Sequence, residues 1–307
     1  MFPYWAFIAI GGHLANGVAF IIDKSLLSKS FKRPATYAST VGFLGMLALI
    51  LIPFGVSIPS AFGWIWSIIS GITFVLALLT FFSALSRGEA TRIVPIIGSL
   101  IPILTLVGTT LFLGERLAGL QYLGFGLLIL ATIILAGGSS TERVSGKTIL
   151  IAISAALLFA ISSVTIKLGY DADGFMTTFT VSRIFGALTA VFLLFFDRRA
   201  FTEAKEALFP SKTSNADEKA GRGALLLVLM GQSLGALGFV LVQYAINLGS
   251  ASIVNSLQAI QYALLVIAAF IFAKKAPTLL GETLTPRVIT QKVIAILIVG
   301  LGLWFVV

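Results

Sequence analysis

Cysteine is missing from all 307 residues, so disulfide staples and thiol chemistry are excluded, while the compartment stays open. Charge is scarce: 11% of residues are Asp, Glu, Lys or Arg, against roughly a quarter in soluble domains. With 58% hydrophobic residues and a mean hydropathy of +1.05, that scarcity excludes an ordinary soluble fold and makes the lipid bilayer the expected solvent. Histidine occurs once, and no glycine-elbow serine, phosphate-binding loop or zinc-binding helix is present, so neither an enzyme nor a cofactor or metal is expected. No apolar run carries Asp or Glu in its middle. That weakens a proton exchanger built on a membrane-embedded carboxylate and leaves facilitated diffusion or exchange open. The net charge is +9, but the basic residues fill gaps between apolar blocks instead of covering one soluble face, so no nucleic-acid partner is expected.

What the chain does have is a succession of apolar runs. Residues 1–22 carry no charge, can cross a hydrocarbon core of about 30 Å, and lack the basic preamble of a cleaved signal, so they read as a retained first span. Pro34 to Ser86 is uncharged and too long for one crossing; Pro53, Gly55, Pro59 and Ser60 divide it into spans over 35–54 and 62–86. Spans four and five are expected over 91–112 and 117–137, with Pro95 and Pro102 kinking span four or loosening its carbonyl ladder. Span six, 148–167, ends at a polar connection over 169–174, and span seven covers 175–196 with Arg183 embedded in it. The charged loop 197–222 is the sizeable extramembrane segment, with a short interfacial helix expected near 201–209. Residues 223–273 are again uncharged and split at Asn247-Leu248-Gly249-Ser250 into spans eight and nine. The last span occupies 288–306, with Lys292 close enough to its start to snorkel. The count is ten, or nine if the last segment inserts only partly.

The pattern also returns on itself. ALSRGEATRIVP, starting at Ala84, is echoed by AINLGSASIVNS from Ala245, with matches at Ala84/Ala245, Gly88/Gly249 and Ala90/Ala251. Leu113-Gly114-Glu115 is echoed by Leu280-Gly281-Glu282. Five spans per half is an odd number, so the second copy enters the bilayer upside down. The expected fold class is therefore an all-α polytopic membrane protein of ten transmembrane helices, arranged as two inverted five-helix repeats over residues 1–143 and 144–307. Such halves enclose a cavity near the midplane and suit alternating access better than an open pore.

The Ala84-Leu85-Ser86-x-Gly88-x-Ala90 stretch, Pro95 within span four, and the Gly114-Glu115-Arg116-Leu117 corner before glycine-rich span five resemble the EamA-like group of the drug/metabolite transporter superfamily. The second half departs from that pattern, with Ser256 at the proline position and Lys274 to Leu279 lengthening the route to Gly281. The resemblance implies ten helices in two halves, transport of a small solute and cytoplasmic termini. The charges point the other way. Eighteen of the 21 Lys and Arg lie in connections 1-2, 3-4, 5-6, 7-8 and 9-10, which the positive-inside rule makes cytoplasmic, leaving both termini outside. The charge count is the working topology, because most of these connections are short enough for the rule to apply.

Function rests on polar residues that a bilayer penalises. A mid-span Arg183 must face the protein interior, either as a cationic contact for a solute carboxylate or phosphate or as a structural lock on helix-end carbonyls or a neighbouring carboxylate. Asn255, Gln258 and Tyr262 follow one face of span nine with Gln261 alongside, suited to a neutral or zwitterionic solute or to interhelical bonding. His13 and Asn16 lie three apart in span one; His13 either titrates in a coupled cycle or bonds a neighbouring helix while neutral. Arg183 and the span-nine amides are expected to share one cavity. Glu115 and Glu282 read as corner residues bonding the start of the next helix or pairing with Arg116 or Lys292, and Trp5, Trp64, Trp66 and Trp304 as interfacial anchors. The expected activity is secondary transport of a small polar metabolite, such as an amino acid or related compound, by a monomer or weak homodimer in the cell membrane. A membrane scaffold without transport, or handling of a lipid-linked substrate, is the alternative.

Overall fold

The computed structural model describes residues 3–26, 33–87, 90–136, 145–197, 199–203, 218–272 and 286–306, and these are helical apart from short connections. The helices are α1 (Tyr4–Leu26), α2 (Pro34–Leu44), α3 (Ala61–Leu85), α4 (Ala90–Leu113), α5 (Gly119–Ala136), α6 (Gly146–Phe196), α7 (Glu218–Leu248), α8 (Ala251–Ser256), α9 (Gln258–Phe272) and α10 (Pro286–Val306). Seven helical stretches of the described residues are long and apolar enough to cross a membrane, and Gly119–Leu135 is a shorter apolar helix. Local chemistry sets their starts. Pro34 opens α2, where its missing N–H costs nothing. Ser60, Ser145 and Ser250 each accept a hydrogen bond from the backbone three residues on, capping α3, α6 and α8.

Several elements depart from the expected spans. The second run is helical only to Leu44 and continues as a 3-10 helix over Gly45–Phe54, ending at left-handed Gly55. Despite Pro95 and Pro102, α4 is one continuous helix. The polar connection expected over 169–174 is helical, and only Gly174, at φ 76° and ψ 172°, leaves the helical region. The polar residues there find partners without uncoiling. Thr178 Oγ1 donates to Gly169 O at 2.7 Å, and Asp173 accepts from the Ser60 N–H at 3.0 Å and the Ser60 hydroxyl at 3.2 Å. A straight α6 would separate residues 162 and 182 by about 30 Å. Instead Ser70 of α3 donates to Ser162 O at 3.1 Å while its neighbour Gly71 lies against Ser182 O, so α6 doubles back at Gly174 as two antiparallel limbs.

Span nine also carries a break. The helical ladder is interrupted at Leu257, between α8 and α9, although no proline is present. Leu257 keeps right-handed helical dihedrals, φ −64° and ψ −9°, so Ala251–Ala268 continues as one apolar span across the break. Lys292 does not snorkel: it is 1% exposed and its Nζ donates to Leu135 O at 3.1 Å. The last-turn carbonyls of α5 are unpaired within that helix and carry the negative end of its dipole, which makes them a better partner than distant water. Residues 199–203 form a helical turn beside Asp197, whereas 204–209 of the expected interfacial helix and the Gly281-Glu282 corner lie outside the described residues.

Small residues make the packing possible. Lipid is as apolar as Leu, so membrane helices gain by close approach and by interhelical hydrogen bonds more than by water exclusion. α1 meets α7 at Gly12 and Gly238, where a Cβ on Gly12 would stand 2.9 Å from Gly238 O. α5 meets α10 at Gly124 and Gly302 in the same way, and Gln121 and Gln291 tie the two ends of that pair to carbonyls of the partner helix. α3 fills the groove between the two limbs of α6.

Candidate functional site

Arg183 lies on the second limb of α6, about 13 Å beyond the turn at Gly174 and so near the middle of a hydrocarbon core of about 30 Å. It is 5% exposed. Its aliphatic stem packs on Gly45 of the 3-10 helix. Its guanidinium carbon lies 4.4 Å from the Phe74 ring centroid, 5.1 Å from that of Phe239 and 5.6 Å from that of Phe179. The three rings come from α3, α7 and α6. Among the described residues its hydrogen bonding amounts to one long contact, Nε to Ser182 Oγ at 3.4 Å, and no carboxylate pairs with it. A guanidinium has five N–H donors, so most of its capacity is unmet among the described residues. The helix-end carbonyl or carboxylate lock considered for this residue is not what the described contacts contain.

The remaining polar residues form a second group around α8 and α9. His13 is 5% exposed and donates from Nε2 to Val254 O at 2.8 Å, with Gln261 beside the ring. Val254 is in α8, one turn before the interruption at Leu257, so the histidine occupies a carbonyl at the helix end. Asn16 sets its Oδ1 on Gly238, where an added Cβ would be 2.5 Å away. Asn255 uses its Nδ2 to bridge Thr105 of α4 and Ser163 of α6, both at 3.1 Å. Tyr262 lies against Gly98 of α4, its hydroxyl 2.7 Å from where a Cβ would stand. Gln258 is partly exposed and makes no hydrogen bond among the described residues.

Among the described residues Arg183 thus makes no hydrogen bond to Asn255, Gln258, Gln261, Tyr262, His13 or Asn16. The two groups are joined by one stripe of the first limb of α6. Phe159 contacts Phe74 at 6.2 Å, Ser163 holds Asn255, and Tyr170 donates to Gln243 Oε1 at 3.0 Å. Positions 159, 163 and 170 share a helical face. Sequence reasoning missed Phe74, Phe179 and Phe239 altogether: among 25 phenylalanines in an apolar chain, none carries a signal that distinguishes a cage from a lipid-facing ring. Ser163 and Thr105 were equally silent.

One end of the bundle holds a cleft of about 340 Å³ lined by Trp5, Glu115, Arg116, Lys167, Asp171 and Ser250 among others. Glu115 accepts from Ser252 at 3.2 Å instead of pairing with Arg116, and the start of α5 is capped by Gln121, whose Oε1 accepts from Ala118 N at 2.9 Å. Lys167 Nζ donates to Asn247 O at 3.0 Å and pairs with Asp171 at 3.1 Å. Among the described residues, no group of His, Asp and Glu could hold a metal ion.

The profile of the EamA-like transporter family matches residues 3–137 and again 146–307. No curated protein matches the chain. A solved structure titled only as the crystal structure of a protein aligns with a TM-score of 0.66 at 15% identity, covering 98% of this chain and 95% of that one, a likeness of fold.

Proposed function

Because the chain belongs to the EamA-like transporter family, we propose that it is a secondary transporter moving a small polar metabolite, such as an amino acid or related organic compound, across the cell membrane by alternating access. The observation that carries this reading is Arg183, a buried cation near the membrane midplane whose donors are mostly unmet among the described residues. Such a group is costly unless water or a ligand reaches it.

The ten-span, inverted-repeat reading goes with it. The spans would be α1, α2 with its 3-10 extension, α3, α4 and α5, then the two limbs of α6, α7, α8 with α9, and α10, with halves at 1–143 and 144–307. Two features support it. The family profile matches each half separately. The packing also suits it: the first span packs on the eighth, the third meets the sixth where Ser70 donates to Ser162 O, and the fifth packs on the tenth.

Gln258 and Tyr262 join Arg183 as candidate solute contacts, since their polar groups make no hydrogen bond among the described residues. Asn255 and His13 hold helices together around the path, and Asn16 lies against Gly238. Flux of amino acids, nucleobases, sugars and organic acids into vesicles of verified orientation tests the reading, with R183K and Q258A alongside. Flux of at least one class is expected, with weakened affinity and residual transport in R183K because lysine keeps the charge and loses the planar fork. Absence of any flux would overturn it in favour of a scaffold or of lipid-linked substrate handling.

A further inference from the structure

The Arg183 guanidinium is a planar group with aromatic ring centroids 4.4, 5.1 and 5.6 Å from its carbon. Its N–H bonds lie in the plane, where they form a fork that fits a carboxylate edge-on. Apart from the long contact to Ser182, that edge has no protein acceptor among the described residues. The cage therefore lacks an anion and supplies its own aromatic walls. Phe74 and Phe239 are 5.4 Å apart, Phe239 and Phe179 6.1 Å, so the three rings are continuous around the cation.

The ring contacts do not stop there. Phe179 stacks on Phe175 at 5.2 Å and 15°, and Phe175 meets Tyr244 at 5.2 Å, four residues from the end of α7. In the other direction Phe74 meets Phe159, then Phe81 and Phe82, which ends at Tyr37 at 4.1 Å, beside the start of α2. Tyr244 and Tyr37 lie toward opposite ends of the bundle, so rings in contact run across it with one cation partway. An ammonium group there would be repelled by the Arg183 cation. Among the described residues no carboxylate pairs with Arg183, and Asp171 is engaged with Lys167.

We propose that the transported solute is an aromatic carboxylate without an amino group, its carboxylate on the in-plane edge of Arg183 and its ring among Phe74, Phe179 and Phe239. This rests on the transporter reading and narrows its substrate. Rings offer a flat body successive offset or edge contacts along the path, and they offer an aliphatic chain no such preference.

Binding to the purified full-length protein in detergent tests it, with 3-phenylpropanoate, hexanoate, phenylalanine, 3-phenylpropanamide and chloride as probes. Phenylpropanoate is expected to bind at least about tenfold more tightly than each of the others, a difference of about 1.4 kcal/mol. R183Q should abolish that binding, and F239L should bring the phenylpropanoate-to-hexanoate ratio toward one by weakening phenylpropanoate more than hexanoate. F239L keeps the test alive if R183Q fails to fold. Equal binding of hexanoate, or tighter binding of phenylalanine or of chloride alone, would overturn the aromatic-acid assignment while leaving transport standing. If a solute of another class shows flux in vesicles and phenylpropanoate does not bind, the assignment fails and the transporter reading survives.

Discussion

Replacing His13 separates a helix-holding role from a proton-coupling one. Its Nε2 donates to Val254 O at 2.8 Å, and the ring is 5% exposed, so no water stands ready to replace it. H13F keeps the planar bulk and removes the donor. It leaves a buried carbonyl beside the interruption at Leu257 without its partner, a loss of about 1–3 kcal/mol. The apparent Tm in detergent should fall by roughly 2–10 °C. H13Q, which can still donate to Val254 O, should recover much of that loss. Flux measured from pH 5 to 8 completes the test: with a structural histidine, H13Q keeps the pH profile of the parent. An H13F protein as stable as the parent would refute the energetic argument. A stable H13Q whose flux has lost its pH dependence would make His13 the coupling group.

Adding a single methyl at Gly71 should be costly, because the new Cβ would collide with Ser182 O and the Gly186 backbone; G71A is expected to lose about 1–3 kcal/mol by overpacking, whereas G126A, with nothing within 4 Å, should be neutral in the same thermal melts. The basic connections predict a cytoplasmic 197–222 loop, so a cysteine placed at Ser214 of this cysteine-free chain should label only from the cytoplasmic face; labelling from outside would support the arrangement implied by the resemblance. Asp197 accepts from the Ala200 and Arg199 N–H groups and lies 3.5 Å from Arg33. The Ala200 bond foremost, with help from Arg33, holds its carboxyl below the usual carboxylate range. A lowered pKa means stabilisation present above the unfolded-state value and lost as pH falls through the folded one. Protection factors at the start of α2, which divide out the base-catalysed intrinsic exchange rate, should therefore fall in acid and stay flat from pH 6 to 8, and the D197N variant should show no such acid dependence.

The sequence by itself determined the solvent and the rhythm of the chain. Long uncharged runs can rest only in a bilayer, where each backbone group must bond within its own helix, so span positions follow from hydropathy and punctuation with little help from packing. Its weak internal echo likewise survives in the linear order. A buried arginine at 183 was legible for the same reason, since the penalty it carries depends on depth alone. What surrounds it was not. The rings of Phe74, Phe179 and Phe239 come from three helices and acquire meaning only by facing one cation. The fate of Lys292 turned on which helix end it met: carbonyls of α5 stood closer than water. The interruption at Leu257 carries no proline to announce it. Interhelical hydrogen bonds and glycine contacts are pairwise terms between residues up to 241 positions apart, as for His13 and Val254. No local pattern encodes such a partner, so only the tertiary structure could decide which polar residues hold helices together and which are left for a solute.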